Sequence, residues 1–165
     1  RDLIDEVGRD ATRFFLAARR VDSQLTFDID LARSQTNENP VYYIQYAHAR
    51  ICSVLGKLAD LGVERNLNEC GGDLSLLTLD EEKDIANQLA QYPELIANAA
   101  GLREPHHLTH YLRDLAAQFH SHYNSHKVLI EDTALRDARV SLYLAVRQVI
   151  ANGLGILAVN APKAM

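Results

Sequence analysis

The 165-residue sequence predicts an all-α fold, a helical bundle that forms one domain. Apolar residues recur at spacings of three and four along most of the chain, which is the period of an amphipathic helix. Strand-like alternation is confined to the short segment 25–29, and the four prolines stand where an apolar pattern starts or stops. Because 47% of the residues are hydrophobic and 24% are charged, we expect a globular domain rather than a disordered, collagen-like or disulfide-rich chain.

The clearest predicted helix begins at Asn39-Pro40 and runs to about Asp60, because proline at an early helical position costs no hydrogen bond. The only boundary between two parts of the chain is predicted just before it, near residues 37–40. The apolar stripe of this helix consists of Val41, Ile44, His48, Ile51, Leu55 and Leu58. The opposite side carries Tyr43, Tyr46, Arg50 and Lys57. One side is therefore predicted to face the core, and the other is aromatic and cationic.

Three further helices are predicted after a loop at 61–73, which is rich in glycine and asparagine. The first starts at a capping box of Thr78 and Glu81 and continues, with a kink at Pro93, to Gly101. The second starts at Pro105, and its core residues are Leu108, Leu112, Leu115 and Phe119. The last, from about residue 133 to 155, is apolar through Leu142, Val146, Val149, Ile150 and Leu154, so we expect it to be central. Its narrow polar stripe consists of Arg136, Arg139, Tyr143 and Arg147.

The charge distribution limits the classes of partner. The net charge of −5 argues against a simple phosphate binder, and we expect no DNA partner. Residues 1–94 carry a balance of −7, whereas residues 95–165 carry +2 and six of the seven histidines. A chain with an acidic front and a mildly basic back can still present a face that suits phosphate groups.

The sequence also bears on location and redox chemistry. No apolar run approaches the ~20 residues that a membrane-spanning helix needs, so we expect no membrane partner. The sequence opens at Arg1 without a signal-peptide pattern, and we interpret the chain as a cytoplasmic piece of a longer protein. Cys52 and Cys70 have no CxxC-like spacing, so we expect neither a zinc site nor a disulfide.

Motifs for covalent chemistry are absent from the sequence, so we predict no catalytic residue. There is no G-x-S-x-G, no P-loop, no G-x-G-x-x-G and no H-E-x-x-H pattern. The histidine pairs His106/His110 and His122/His126 have one-turn spacing that could each clamp a metal. Although Glu104 lies close by, no spacing marks a known site, and we predict that the histidines hold no metal. We interpret His48 as a core histidine.

Several segments resemble one known family. Residues 39–50, Asn-Pro-Val-Tyr-Tyr-Ile-Gln-Tyr-Ala-His-Ala-Arg, resemble the opening of the C-terminal anticodon-binding domain of arginyl-tRNA synthetases, the DALR domain. Residues 6–15 and 27–32 are similar to the segment that follows the catalytic domain in that family. Residues 119–124, Phe-His-Ser-His-Tyr-Asn, resemble its F-x-x-x-Y-N helix, and residues 153–157 and 161–165 resemble its terminus.

The resemblance implies a role in coupling arginine to its tRNA with ATP. In such a protein this domain holds the anticodon loop of arginine tRNA, while a separate catalytic domain of the same protein binds ATP and Mg²⁺. The class I motifs H-x-G-H and K-M-S-K are absent here, so we expect no cofactor in this chain and no activity from it alone. Residues 1–38 are then a helical junction after the catalytic domain, and residues 39–165 are a helical bundle of the DALR anticodon-binding type.

Candidate RNA-binding residues follow from the resemblance and from the two tyrosine–arginine stripes. The resemblance favours Tyr123, Asn124 and Met165 as anticodon-binding residues, and we predict that Tyr123 and Met165 line one pocket. Tyrosine and arginine are residue types that stack on unpaired bases, so the stripes Tyr43/Tyr46/Arg50 and Arg136/Arg139/Tyr143/Arg147 can face RNA. Each stripe can equally be explained by structural packing. The alternative function is a helical protein-interaction or adaptor module.

Overall fold

The prediction of an all-α bundle is confirmed. The computed structural model describes residues 2–20, 22–23, 26–63 and 71–165, and within these ranges it contains α-helices and one short 3-10 helix but no strand. The α-helices are α1 (Asp2–Val7), α2 (Arg9–Ala17), α3 (Ile29–Arg33), α4 (Pro40–Asp60), α5 (Asp80–Ala90), α6 (Tyr92–Leu102), α7 (His106–Ser125) and α8 (Thr133–Ile156), with the 3-10 helix at Leu74–Leu76. None of the described helices is long and apolar enough to cross a membrane.

The start of α4 is fixed by Asn39, as the sequence predicted. Its side-chain oxygen accepts a hydrogen bond from the backbone N–H of Val41, at 3.2 Å, and Pro40 occupies the first turn. The side-chain amide of Asn39 also donates to the carbonyl oxygens of Ala32 and Ser34, at 3.2 and 2.8 Å. Because Asn39 is itself buried, it both caps α4 and ties the end of α3 to the bundle.

The core lies between α4, α5, α7 and α8. All six residues of the predicted α4 stripe are buried, and so are the four core residues predicted for α7. Helix α8 is central, as expected: Leu142, Val146, Ile150 and Leu154 are buried, while Val149 is only partly buried. At Gly153 an added Cβ would lie 2.7 Å from Leu112 Cδ2, so a larger residue there would force Leu112 to move within the packed contact between α7 and α8.

Several boundaries differ from the prediction. Helix α5 begins at Asp80, and its N-terminal carboxylate contact comes from Glu82 rather than Glu81: the Glu82 Oε2 atom accepts from the N–H of Leu79 at 3.1 Å. The predicted kink at Pro93 is a break between α5 and α6, and α6 ends at Leu102, before Arg103 with a positive φ of 58°. Leu25, Cys70 and most of the predicted 61–73 loop lie outside the described residues.

Candidate nucleic-acid interface

The side chains of the first predicted stripe meet residues from α7 on one face of the bundle. Tyr43, Tyr46 and Arg50 lie on successive turns of α4, and His120, Tyr123 and Asn124 lie at the C-terminal end of α7. Because α4 and α7 pack against each other through their apolar stripes, the polar flanks of the two helices become neighbours. The structure therefore brings the first stripe together with Tyr123 and Asn124, which the resemblance had favoured separately.

Arg50 is at the centre of this face. Its guanidinium carbon lies 4.6 Å from the ring centroid of Tyr46 and 4.6 Å from that of Tyr123. The Nη1 atom donates to Asn124 Oδ1 at 3.1 Å and lies 3.2 Å from His120 Nδ1. Two rings and two hydrogen bonds thus hold the planar guanidinium group in one orientation.

His120 acts as a neutral acceptor beneath Arg50. Its Nε2 atom lies 3.1 Å from the backbone oxygen of Tyr43, and because a carbonyl only accepts, Nε2 carries the proton. Nδ1 is then free to accept from Arg50. Burial lowers the pKa of His120, and the charge of Arg50 lowers it further. The His120 ring also packs between Tyr43 and Tyr46, with centroid distances of 4.5 and 5.6 Å.

An open cavity of about 520 Å³ adjoins Arg50. The residues that line it include Tyr46, Tyr123 and the C-terminal residues Lys163 and Met165. Tyr123 and Met165 therefore line the same cavity, although the whole of α8 separates them in sequence. The site combines aromatic faces, a flexible thioether and two cationic groups, which are the groups that bind an unstacked nucleotide. That it binds a base stays a prediction.

Two polar residues on α4 hold the C-terminal segment beside this cavity. The Nδ1–H group of His48 donates to the backbone oxygen of Pro162 at 2.7 Å, and the side-chain amide of Gln45 donates to the backbone oxygen of Asn160 at 2.9 Å. The N–H of Asn160 in turn donates to Asp10 Oδ2 at 3.1 Å, which connects the segment to α2. His48 is buried, as the sequence predicted, but its role in positioning residues 160–162 was not foreseen.

The second predicted stripe does not form an RNA-facing surface. Tyr143 is fully buried, and Arg139 is only 9% exposed, so the prediction is wrong for both residues. The reason is that this side of α8 packs against α5 and α7 instead of facing solvent. Arg136 and Arg147 are partly buried, and Arg136 Nε donates to Asp137 at 3.0 Å.

Tyr143 and Arg139 belong instead to a buried polar network. Glu82 Oε1 accepts from Arg139 Nε at 2.8 Å and lies 3.4 Å from His122 Nε2, while His122 Nδ1 lies 2.9 Å from the hydroxyl of Tyr143. Burial alone would raise the pKa of Glu82, but the hydrogen bonds from Arg139 and from the Leu79 N–H hold it below its usual value. Burial also raises the pKa of Tyr143 and lowers that of His122. This network stabilises the contact between α5, α7 and α8.

A possible metal-binding group lies at the turn between α6 and α7. Within the described ranges, Glu104, His106 and His107 each place a ligand atom within 4.8 Å of the others. His107 Nε2 already lies 2.7 Å from Glu104 Oε2, which is a complete hydrogen bond without an ion. In the predicted pair His122/His126, the ring nitrogens of His122 already contact Glu82 and Tyr143. In the predicted pair His106/His110, His110 does not belong to the group of three possible ligands. That the histidines hold no metal stays a prediction.

Comparisons with known proteins are consistent over the whole chain. The family model "DALR anticodon binding domain" matches residues 44–165. An arginine–tRNA ligase of Thioalkalivibrio sulfidiphilus (strain HL-EbGR7) is 54% identical over 165 residues, which is 100% of this chain and 28% of that protein. One from Halorhodospira halophila (strain DSM 244 / SL1) is 50% identical over the same lengths. The chain thus spans just over a quarter of the curated relatives it matches.

Solved structures give the same result for the fold. Thermus thermophilus arginyl-tRNA synthetase superposes with a TM-score of 0.81 and 33% identity, over 97% of this chain and 27% of that one. A Campylobacter jejuni protein assigned as an arginyl-tRNA synthetase has a TM-score of 0.83 and 28% identity, over 99% of this chain and 35% of that one.

Proposed function

This chain belongs to the DALR anticodon binding domain family, and we propose that it binds the anticodon loop of arginine tRNA. One observation carries the proposal: Tyr46, Arg50, Tyr123 and Met165 line a single open cavity. Proteins that read single-stranded RNA loops stack unpaired bases on aromatic or arginine side chains and hydrogen-bond the edges of those bases. A base in this cavity meets two tyrosine rings and the guanidinium group between them.

Aminoacylation is assigned to residues outside this chain. The two relatives named above are arginine–tRNA ligases of which these residues match 28%, and the sequence contains neither H-x-G-H nor K-M-S-K. We propose that a catalytic domain of the same protein binds ATP and Mg²⁺ and joins arginine to the tRNA in the cytoplasm. The chain then contributes affinity and orientation, and the catalytic domain contributes the chemistry. By itself the chain forms no arginyl-adenylate.

The contact with that catalytic domain is proposed to include α1 and α2. Ile4 on α1 and Leu16 on α2 are both close to half exposed, and the two helices contact each other, so they offer apolar surface to a neighbouring domain. Residues 1–38 contain α1, α2 and α3 and are linked to the bundle through Asn39. A helical junction between two domains of one protein accounts for the exposed apolar side chains on one side and for the link to the bundle on the other.

Binding to tRNA as a function of salt tests the proposed function. The chain is titrated with an arginine tRNA transcript and, as a control, with a transcript that accepts another amino acid. We expect tighter binding of the arginine tRNA and a steep loss of affinity with salt, because lysine and arginine side chains replace counterions on the phosphates. Equal binding of both transcripts, or no dependence on salt, contradicts the proposal and favours the adaptor function.

A further inference from the structure

A second, smaller cavity lies beside the first, and Tyr123 lines both. It has a volume of about 240 Å³, and its walls are Val54, Lys57, Tyr123, His126, Lys127, Val128 and Leu129. We propose that it is a second nucleotide subsite. It takes the nucleotide next to the one in the first cavity, with the base against the apolar wall and the adjoining phosphate near the two lysines. The inference rests on the proposed function, since it concerns the same RNA loop.

The shape and lining of the cavity fit a single base. Val54 and Val128 are buried and form its inner wall, while Leu129 is 37% exposed and stands at its edge. Pockets for drug-sized ligands usually measure ~300–1,000 Å³, so this smaller volume suits one aromatic ring system rather than a larger molecule. The ring of Tyr123 adds a face on which a base can stack.

The charge at the cavity suits a phosphate. Lys57 on α4 and Lys127 after α7 are exposed, and neither is ion-paired with any other residue that the structure describes. The residues that line the cavity include no acidic one, and the Oε1 atom of Glu81 lies 4.0 Å from His126 Nε2. Two exposed ammonium groups beside an apolar wall present a phosphate site and a base site together.

The wall of the cavity is anchored to the core. Arg139 Nη1 donates to the backbone oxygen of Lys127 at 2.9 Å, and the same guanidinium group is held by Glu82. The N–H of His126 donates to the carbonyl oxygen of His122 at 2.8 Å, which ends α7. The segment that carries Lys127 and Leu129 is therefore fixed by the buried network, and the cavity is preformed rather than assembled by the ligand.

The second cavity lies directly beside the first. The two cavities share Tyr123, and the guanidinium group of Arg50 lies against that same ring. Because consecutive nucleotides in an unstacked loop are joined by one phosphate, a base in the first cavity places its neighbour within reach of the second. Tyr123 then separates two adjacent nucleotides of one loop.

Binding of an anticodon stem-loop of arginine tRNA by the 165-residue chain tests the subsite. Leu129→Ala removes the apolar edge, and we expect it to weaken binding roughly 3- to 10-fold. The double variant Lys57→Ala/Lys127→Ala should reduce the slope of log affinity against log salt by about 0.7, the value for one phosphate contact on a single strand, and each single variant should reduce it by part of that amount. Lys83→Ala, an exposed lysine on α5 that pairs with Asp80, is the matched control and should bind like the unchanged chain.

A series of stem-loops, each with a single abasic nucleotide, identifies the nucleotide that binds in the second cavity. We expect the effect of Leu129→Ala to disappear at one abasic position, and the effect of Tyr123→Ala to be smaller at that position and at the adjacent one. Circular dichroism confirms that each variant is folded. If Tyr123→Ala weakens binding while the Leu129, Lys57 and Lys127 variants all match Lys83→Ala, the subsite is refuted and the proposed function stands. If neither the unchanged chain nor any variant binds the stem-loop, both are refuted.

Discussion

Arg50 on α4 and Tyr123 on α7 are in direct contact, with the guanidinium carbon 4.6 Å from the centroid of the ring. The next residue on α7, Asn124, accepts a hydrogen bond from the same guanidinium group at 3.1 Å. The two helices thus contribute one composite surface, in which Arg50 is held by Tyr46, Tyr123, His120 and Asn124. Because its orientation is fixed before RNA arrives, little side-chain entropy remains to be lost on binding.

The stacking role of Tyr123 predicts a loss of RNA affinity on truncation. Stacking on one base contributes ~1–3 kcal/mol, so Tyr123→Ala should weaken binding of the arginine anticodon stem-loop by roughly 5- to 150-fold. Tyr123→Phe keeps the ring and should retain most of the affinity. Fluorescence anisotropy with the three proteins measures the difference. Unchanged affinity for Tyr123→Ala, in a folded protein, would remove this residue from the site.

Met165 should act in the same direction as Tyr123 but more weakly. Its side chain is half exposed and lines the same cavity, so Met165→Ala removes only part of the contact with a bound base. If both side chains touch one base, the double variant should lose less affinity than the sum of the two single losses. Strict additivity of the two free-energy changes would show that they contact different parts of the RNA.

The buried pair of Glu82 and Arg139 should matter for stability. Glu82→Gln leaves the Arg139 guanidinium buried without its counter-charge, which should lower the free energy of unfolding by about 3–5 kcal/mol. The control is Lys83→Ala, which removes an exposed ion pair with Asp80 and should cost less than about 1 kcal/mol. Urea unfolding measures both variants, and equal effects would contradict the importance of the pair.

Three buried histidines predict a fall in stability in mild acid. Burial lowers the folded-state pKa of His48, His120 and His122 below the ordinary value of 6.5. The unfolded chain therefore binds more protons than the folded chain below about pH 6.5, so stability is full above that value and declines as the pH falls further. Glu82, whose pKa is also lowered, adds a separate loss below its ordinary 4.5.

Urea midpoints measured between pH 7.5 and 5 check this dependence, together with the titration of the histidine ring protons by NMR. RNA affinity should fall over the same range, because protonated His120 turns a donor towards Arg50. A midpoint that rises as the pH falls below 6.5 would contradict the burial of neutral histidines.

The metal prediction is tested by dialysis. Glu104, His106 and His107 are close enough to meet at one ion, but the His107–Glu104 hydrogen bond is already formed and a site with few protein ligands is weak. We expect less than a tenth of an equivalent of zinc after exhaustive dialysis, as measured by elemental analysis. One tightly held equivalent, lost in His106→Ala, would show that the prediction is wrong.

The parts of the fold that the sequence predicted depend on local signals. Helix α4 was bounded correctly because Asn39 and Pro40 form an N-terminal cap and its apolar residues follow steps of three and four. The start of α5 was shifted by one position, from a cap at Thr78 to a cap at Leu79. Acidic residues stand three positions after both, and only the structure selects Glu82 as the carboxylate that reaches back.

The parts that sequence analysis missed depend on partners far away in the chain. The polar stripe of α8 has the same spacing whether it faces water or a buried carboxylate, and Glu82 lies 57 positions before Arg139. The contacts of His48 with Pro162 and of Gln45 with Asn160 span more than a hundred positions and leave no local pattern. The pairing of Tyr123 with Met165 came from family resemblance, and no periodicity could have supplied it.

We expect a base of the anticodon loop to enter the cavity between Tyr123 and Met165. Met165 is the only methionine in the chain, so a ¹³C label on its methyl group gives a single resonance from this cavity. On titration with the arginine anticodon stem-loop, we predict a ring-current shift of that resonance, which disappears when the contacting nucleotide is abasic. A methyl resonance that stays unchanged at saturating RNA would contradict the claim.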